Sequence, residues 1–297
     1  MSIDQNIDTV NKIADLGDKL INMIDIKNIF PSLKARQVFI SEIEKNDELS
    51  TAQKMALLYH FNDVSKRAKN FYSVLELTEI MLNAKGVSLE TAKIDTDSEW
   101  FGMFSDIAKN VSDEEMQHIW AKILASKCED EKSVDKKLLS ILQVMESEDA
   151  EIFSYICANT VYIDSAYISN FPAFVYVFDR NPVYVNGEFY NKKFIHHSAL
   201  TQMQSLGLIT YHVSMSTYEL TAPNDMTADC TFNYFGEKIN VKSYSKKDLS
   251  LGAVELTRCG HQLVKILYEG QRDNKNAKLI DKLTQHFNAL GYEVTKV

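Results

Sequence analysis

The segment from Val111 to Lys127, VSDEEMQHIWAKILASK, limits the possible folds of this chain more than any other stretch. Ser112 followed three residues later by Glu115 has the form of a capping box, in which each side chain takes a backbone N–H at the start of a helix. Met116, Ile119, Trp120, Ile123 and Leu124 then recur at i, i+3, i+4, i+7 and i+8, which sets them on one apolar stripe. Gln117 and His118 fall on the polar side. A stripe of this kind has to be covered, so the sequence predicts a helical core around Trp120, with Trp100 as a second aromatic anchor.

The same period runs through the preceding residues. Ile3, Ile7, Val10, Ile13, Ala14, Leu20 and Ile21 make residues 1 to 24 an amphipathic helix. Helical patterns follow over 33 to 46 and 50 to 84, the second with Ser50 as N-cap, a stop at Gly86 and room for a break near Asn62 to Ser65. After the Trp120 helix come SVDKKLLSILQVM, with Leu138, Leu139, Leu142 and Met145 on one side, and EDAEIFSYICANT, with Ser147 as N-cap. With only 10 Gly and 4 Pro in 297 residues, long helices are favoured over short strands.

From Val161 the pattern turns strand-like. Phe174 to Phe178 is a β-rich run, and Asn186-Gly187 between two short runs is the dipeptide of a two-residue hairpin. A helix from about Lys192 to Leu206 ends at Gly207, strands follow in Ile209 to Leu220 and Asn240 to Tyr244, and helices continue from Leu256 to Tyr268 and Asn274 to Leu290. The expected fold is mainly α, with a helical bundle over 1–160 followed by a smaller α+β, winged-helix-like unit over 161–297.

The net charge of −9 is uneven, because the chain from Val161 onward holds 14 Lys+Arg against 13 Asp+Glu and the acidic excess lies before it. An acidic body repels phosphate at long range, so any nucleic-acid contact has to rest on a local basic face. Cys128, Cys157, Cys230 and Cys259 stand far apart without a CxxC pair, which favours reduced thiols in a cytoplasmic protein over disulfides or structural zinc. No export signal and no transmembrane run is expected.

The order Asp97 to Phe104 (DSEWFGMF), VSDEEMQHIWAKILASK, LLSILQVMESEDAEIF, Leu206-Gly-Leu-Ile209 and Leu256-Thr-x-x-Gly-x-x-Leu263 resembles an uncharacterised bacterial family known only as a domain of unknown function. A Trp-Ala-x-Leu-Leu helix followed by a Leu-x-x-Leu-Ser-x-x-Asp-Ala element is also similar to an abortive-infection family, which implies a relation to antiviral defence. That family has a Glu-x-x-x-Pro-Gly stretch after the Trp helix, where this chain reads KCEDEKS from Lys127 to Ser133. Neither resemblance carries catalytic residues.

No catalytic, cofactor-binding or metal-binding set is expected. Asp95, Asp97 and Glu99 read as the polar start of a helix before they read as a cation site, and the adjacent His196 and His197 point about 100° apart on a helix, which hinders sharing one ion. If the second half binds nucleic acid, the face would comprise Lys192, Lys193, His196, His197 and Gln202 on a helix and Lys242, Lys246 and Lys247 on a wing. The leading expectation is a non-enzymatic interaction protein with a protein partner and a capacity to form homo-oligomers through its amphipathic ends. A nucleic-acid-binding regulator is the alternative, and a hydrolase or nuclease comes third.

Overall fold

The computed structural model describes residues 33–87, 95, 98–175, 195–212, 218–223, 227–245 and 248–297. They are mainly helical, with an α+β part. The chain divides into two compact units, Met1–Ala121 and Lys122–Val297, and the division falls inside the Trp120 helix, ahead of the change of periodicity near Val161.

In the first unit, α1 (Leu33–Lys45) is followed by α2 (Thr51–Ala84), which begins at a capping box between Ser50 and Gln53 and continues unbroken through Asn62 to Ser65. The Asp63–Arg67 ion pair, 2.9 Å at i,i+4, spans the stretch where the sequence leaves room for a break. Phe39, Ile43 and Phe61 form a small core between α1 and α2. Farther along, α2 buries Asn70, Val74, Thr78 and Leu82.

Helix α3 (Glu99–Ala108) starts at the N-cap Ser98, whose hydroxyl accepts from Phe101 N at 3.2 Å. Trp100 stacks on Phe104 at 5.3 Å between centroids, and Phe104 meets the Trp120 ring edge-on at 5.5 Å. Both tryptophans are buried, as their spacing predicts.

Helix α4 (Glu114–Glu129) corrects two expectations. Its cap is Asp113, whose Oδ1 accepts from Met116 N at 2.9 Å, in place of the Ser112–Glu115 box. Ser112 and Asp113 are both good N-caps, and the first helical hydrogen bond, Gln117 N to Asp113 O, fixes the start one residue later. Gln117 is also buried and not on a polar side, because its Nε2 donates to Val111 O at 2.8 Å and closes the turn before the helix.

In the second unit, α5 (Lys136–Val144) buries Leu138, Leu139, Ile141 and Leu142 and is capped by Asp135. Helix α6 (Ser147–Ala158) begins with Ser147 as its first residue, so Ser147 is not the cap; Asp149 Oδ2 instead accepts from Glu146 N at 2.8 Å. The strands β1 (Thr160–Ser165), β2 (Phe171–Phe174), β5 (Asp229–Tyr234), β6 (Glu237–Lys242) and β9 (Glu293–Lys296) form an antiparallel sheet of order β2-β1-β5-β6-β9. Cys230, Phe232 and Tyr234 alternate inward along β5, and Ile239 and Val241 along β6. The pair β4 (Tyr218–Thr221) and β7 (Asp248–Gly252) forms a separate two-stranded ribbon.

Helix α7 (His197–Leu206) ends at Gly207, whose φ of 80° is the left-handed conformation that favours glycine. The chain then enters β3 (Ile209–Tyr211), which pairs with β8 (Val254–Leu256), and β8 leads into α8 (Arg258–Leu267) and a 3-10 turn over Tyr268–Asn274. Finally α9 (Leu279–Ala289) buries Leu279, Ile280, Leu283 and Phe287, with Phe287 5.2 Å from Phe232 of the sheet. The apolar face proposed for pairing at this end is therefore occupied within the chain, while residues 1 to 24 and the Asn186-Gly187 hairpin lie outside the described residues.

Candidate functional site

The second unit carries a cleft of about 590 Å³. One side is the polar face of α8, where Arg258, His261, Gln262 and Lys265 follow one another at helical spacing. The opposite rim is the end of α4 and the loop after it, including Ser126, Asp130 and Lys132, and Phe171 and Glu255 come from β2 and β8. The loop is KCEDEKS, the stretch that departs from the Pro-Gly pattern. It is closed by its own side chains: Lys127 Nζ donates to Glu131 O and, at 3.2 Å, to Val134 O, and Ser133 Oγ donates to Ser126 O at 2.9 Å.

Thr257 sets the position of α8. Its hydroxyl accepts from Gly260 N at 3.2 Å as the helix cap and donates to Gly207 O at 2.6 Å, while its own N–H donates to Leu208 O at 3.0 Å. The Leu-Thr-x-x-Gly-x-x-Leu motif is thus a joint between two helix ends.

Within the cleft the His261 ring lies edge-on to Phe171 at 4.8 Å. Burial, and then the Lys265 ammonium, hold its pKa below the ordinary histidine value of 6.5. Arg258 Nε reaches Asp135 Oδ2 at 3.3 Å. Gln262 Oε1 is buried and accepts no hydrogen bond among the described residues. The lining charges balance, with Lys132, Arg258 and Lys265 against Glu129, Asp130 and Glu255.

Of the residues singled out for nucleic acid, those that are described (His196, His197, Gln202 and Lys242) do not line this cleft. Lys192, Lys193, Lys246 and Lys247 lie outside the described residues. His196 is the N-cap of α7, its Nδ1 accepting from Ala199 N at 3.1 Å. His197 faces the Tyr211 ring at 5.7 Å. Gln202 is committed elsewhere, its Nε2 donating to the buried Asp149 Oδ1 at 2.5 Å. Lys242 sits on β6 beside Asp229 at 3.6 Å and over the Tyr244 ring. Asp95 gives its carbonyl to Ser98, Glu99 opens α3, and Asp97 is outside the described residues. Among the described residues no group of three or more His, Cys, Asp or Glu is placed to hold a metal ion, and no helix is long and apolar enough to cross a membrane.

A second feature lies on α2. In its first half Leu57, Leu58 and Phe61 face α1, and on the other side Ala52, Met55, Ala56 and Tyr59 are exposed, Met55 at 67% and Tyr59 at 74%. At 100° per residue these four continue the face that Asn70, Val74 and Thr78 bury farther along the same helix. The sequence carried this signal as the spacing of residues 52, 55, 56 and 59, but spacing does not tell a covered stripe from an open one.

The family model described as "Protein of unknown function (DUF2806)" matches residues 60–280. The chain belongs to this family. No curated protein and no solved structure matches it. The DUF2806 span contains the whole α8 cleft, whereas Met55 and Tyr59 lie just ahead of it. The Gln262 and Lys265 positions escaped sequence reasoning because Leu256 to Leu263 was read for its helix and not for the polar face that continues to Lys265.

Proposed function

We propose that this chain is a non-enzymatic interaction protein that holds a protein partner on the open face of α2. The observation that supports the reading is that apolar face itself. Ala52, Met55, Ala56 and Tyr59 stay in water on a 34-residue helix whose continuation of the same face is buried. Exposed apolar patches on a rigid helix are a recurrent docking feature. The charges beside it indicate the partner's chemistry. Residues 51 to 69 hold Lys54, Lys66, Arg67 and Lys69 against the single acid Asp63, so the fitting partner is an amphipathic helix with acidic flanks. The antiviral setting and a cytoplasmic location belong to the same proposal and rest on the abortive-infection resemblance and the unpaired thiols.

The test places a photo-crosslinker at Ala56 in the full chain and compares it with the same protein carrying M55E and Y59E. Cross-linking to an acidic amphipathic segment of another protein, lost in the double variant while the melting temperature holds, is the expected result. An adduct to a second copy of this chain replaces the partner reading with self-association. Identical capture by both proteins overturns the face, and a turnover activity of the pure protein that polar point changes abolish overturns the non-enzymatic reading.

A further inference from the structure

The open face of α2 carries a further inference, which rests on its reading as a docking surface. Residues 1–24 hold Ile3, Ile7, Val10, Ala14, Gly17 and Ile21 at alternating steps of four and three, the spacing of a seam that one helix presents to another. A seam of this kind has to be covered by a second apolar stripe. Helix α1 offers little, since its exposed Val38 stands among Gln37, Ser41 and Glu42. The second half of α2, residues 70–84, exposes Ile80 but holds Glu76 and Glu79 and no base. The first half offers the matching period in the exposed Ala52, Met55, Ala56 and Tyr59, and the exposed Lys66 continues it seven residues after Tyr59.

We propose that residues 1–24 of the same chain dock on this face and hold it until a partner helix displaces them. The charges agree, because the segment has Asp4, Asp8, Asp15 and Asp18 against Lys12 and Lys19, while Lys66 and Lys69 of α2 have no acidic partner among the described residues. The connection is long enough. Phe39 of α1 meets Phe61 of α2 at 4.7 Å between ring centroids, and α1 begins at Leu33, about 9 Å of helix before Phe39. Residues 25–32 can span up to about 27 Å, and Tyr59 is two residues from Phe61. A tether of this length sets an effective concentration on the order of 1 mM, so a helix pair with a dissociation constant of about 100 μM closes about ten to one. Such an occupancy restrains the face and still yields to a tighter partner.

The experiment uses the pure full chain with a photo-crosslinker at Ala56 and, as a free probe, a fluorescein-labelled peptide of residues 1–24. The expected adduct joins Ala56 to residues 1–24 within one chain, with a yield that does not change on about hundredfold dilution. Ile7→Glu with Ile21→Glu breaks the seam within the chain and opens the face, so the labelled peptide should bind this variant about tenfold more tightly than wild type, the ratio the tether sets. Adding M55E and Y59E should remove that binding. The cross-link is read in a chain whose seam is intact, so it decides the matter even if I7E/I21E folds poorly. No adduct to residues 1–24 overturns the inference, as does an adduct formed only between two copies, or equal affinity of the peptide for wild type and I7E/I21E. The two readings fail separately. An acidic helix of another protein captured at Ala56, with no adduct to residues 1–24, overturns this inference and leaves the docking reading. An adduct to residues 1–24, in a chain that captures no other protein even as I7E/I21E, supports this inference and removes the partner.

Discussion

Replacing Gly260 by alanine should cost far more than its place on a helix suggests. A Cβ built there would stand 2.1 Å from the backbone oxygen of Leu208 and 3.2 Å from its carbonyl carbon, where ordinary contact begins at 3.4 Å. The atom in the way is backbone, so no rotamer relieves the clash, and α8 must move about 1 Å from the β3 entry. That movement stretches the Thr257 N to Leu208 O bond, now 3.0 Å, beyond a useful length. Overpacking costs about 1–3 kcal/mol and the hydrogen bond about 1 kcal/mol, offset by at most about 1 kcal/mol of helix propensity. The net loss is about 1–4 kcal/mol, a fall of roughly 2–16 °C in melting temperature for a unit of this size. Gly102 is the control: it is also helical, but a Cβ there meets nothing within 4 Å, so Gly102→Ala should stabilise by about 0.5–1 kcal/mol. Scanning calorimetry of the two variants measures both signs. A G260A protein that melts at or above wild type, or two alanines that shift melting in the same direction, would refute the reasoning.

Asp149 ties α6 to α7 through Gln202 and closes the α6 start at Glu146, so Asp149→Ala should cost about 1–3 kcal/mol. A double-mutant cycle with Gln202→Ala, read by urea unfolding, should show positive coupling, and additive losses would mean the 2.5 Å contact contributes nothing. Burial pushes the Cys157 thiol well up, and half-burial with the Glu129 carboxylate pushes Cys128 up to about 11. At pH 8 the Cys128 thiolate is then about a thousandth of the thiol, so the native protein should react slowly with a disulfide reagent until denatured, and prompt labelling contradicts this. His261 and His286 titrate below 6.5 because burial disfavours their charged forms. The unfolded chain therefore binds more protons between the folded values and 6.5, so stability should hold above pH 6.5 and fall as the pH drops below it. Replacing both histidines with glutamine should flatten that slope in a melting series from pH 7.5 to 5, and an unchanged slope would assign it elsewhere.

How far the sequence told the fold depended on whether the information was local. Ser50 as cap, the Trp100 and Trp120 anchors and the Gly207 stop were all legible, because capping chemistry and 3.6-residue spacing are written within a few residues. Caps were legible to within one residue: Asp113 and Glu146 take the places assigned to Ser112 and Ser147. The sheet was less legible. Strand β5 and the turn Phe235-Gly236 escaped because Phe235 adopts φ 48°, a conformation no one expects of phenylalanine. Its reason is remote in sequence, since the ring stacks on Tyr268 at 4.2 Å and its N–H donates to the Tyr268 hydroxyl at 3.0 Å. Strand β9 escaped because four residues at the end of the chain form a strand only when β6 is there to pair with them. The cleft was illegible for the same reason, because Phe171, Lys132 and Lys265 share it only after α4, β2 and α8 have met.

The residues that carry the family resemblance turn out to be joints. Trp100 and Trp120 fill one core, Asp149 holds α6 at its start and to α7, and Gly207, Leu208, Thr257 and Gly260 clasp α7 to α8 within hydrogen-bond distance. Membership of DUF2806 therefore specifies a frame and is silent on what the frame holds. The surface with chemistry to spare uses other residues than those joints. Met55 and Tyr59 precede the matched span. G260A and M55E/Y59E should consequently separate: the first lowers stability, and the second leaves the melting temperature in place while removing the partner. If M55E/Y59E melted as low as G260A, the α2 face would belong to the frame and the proposed docking role would have to be given up.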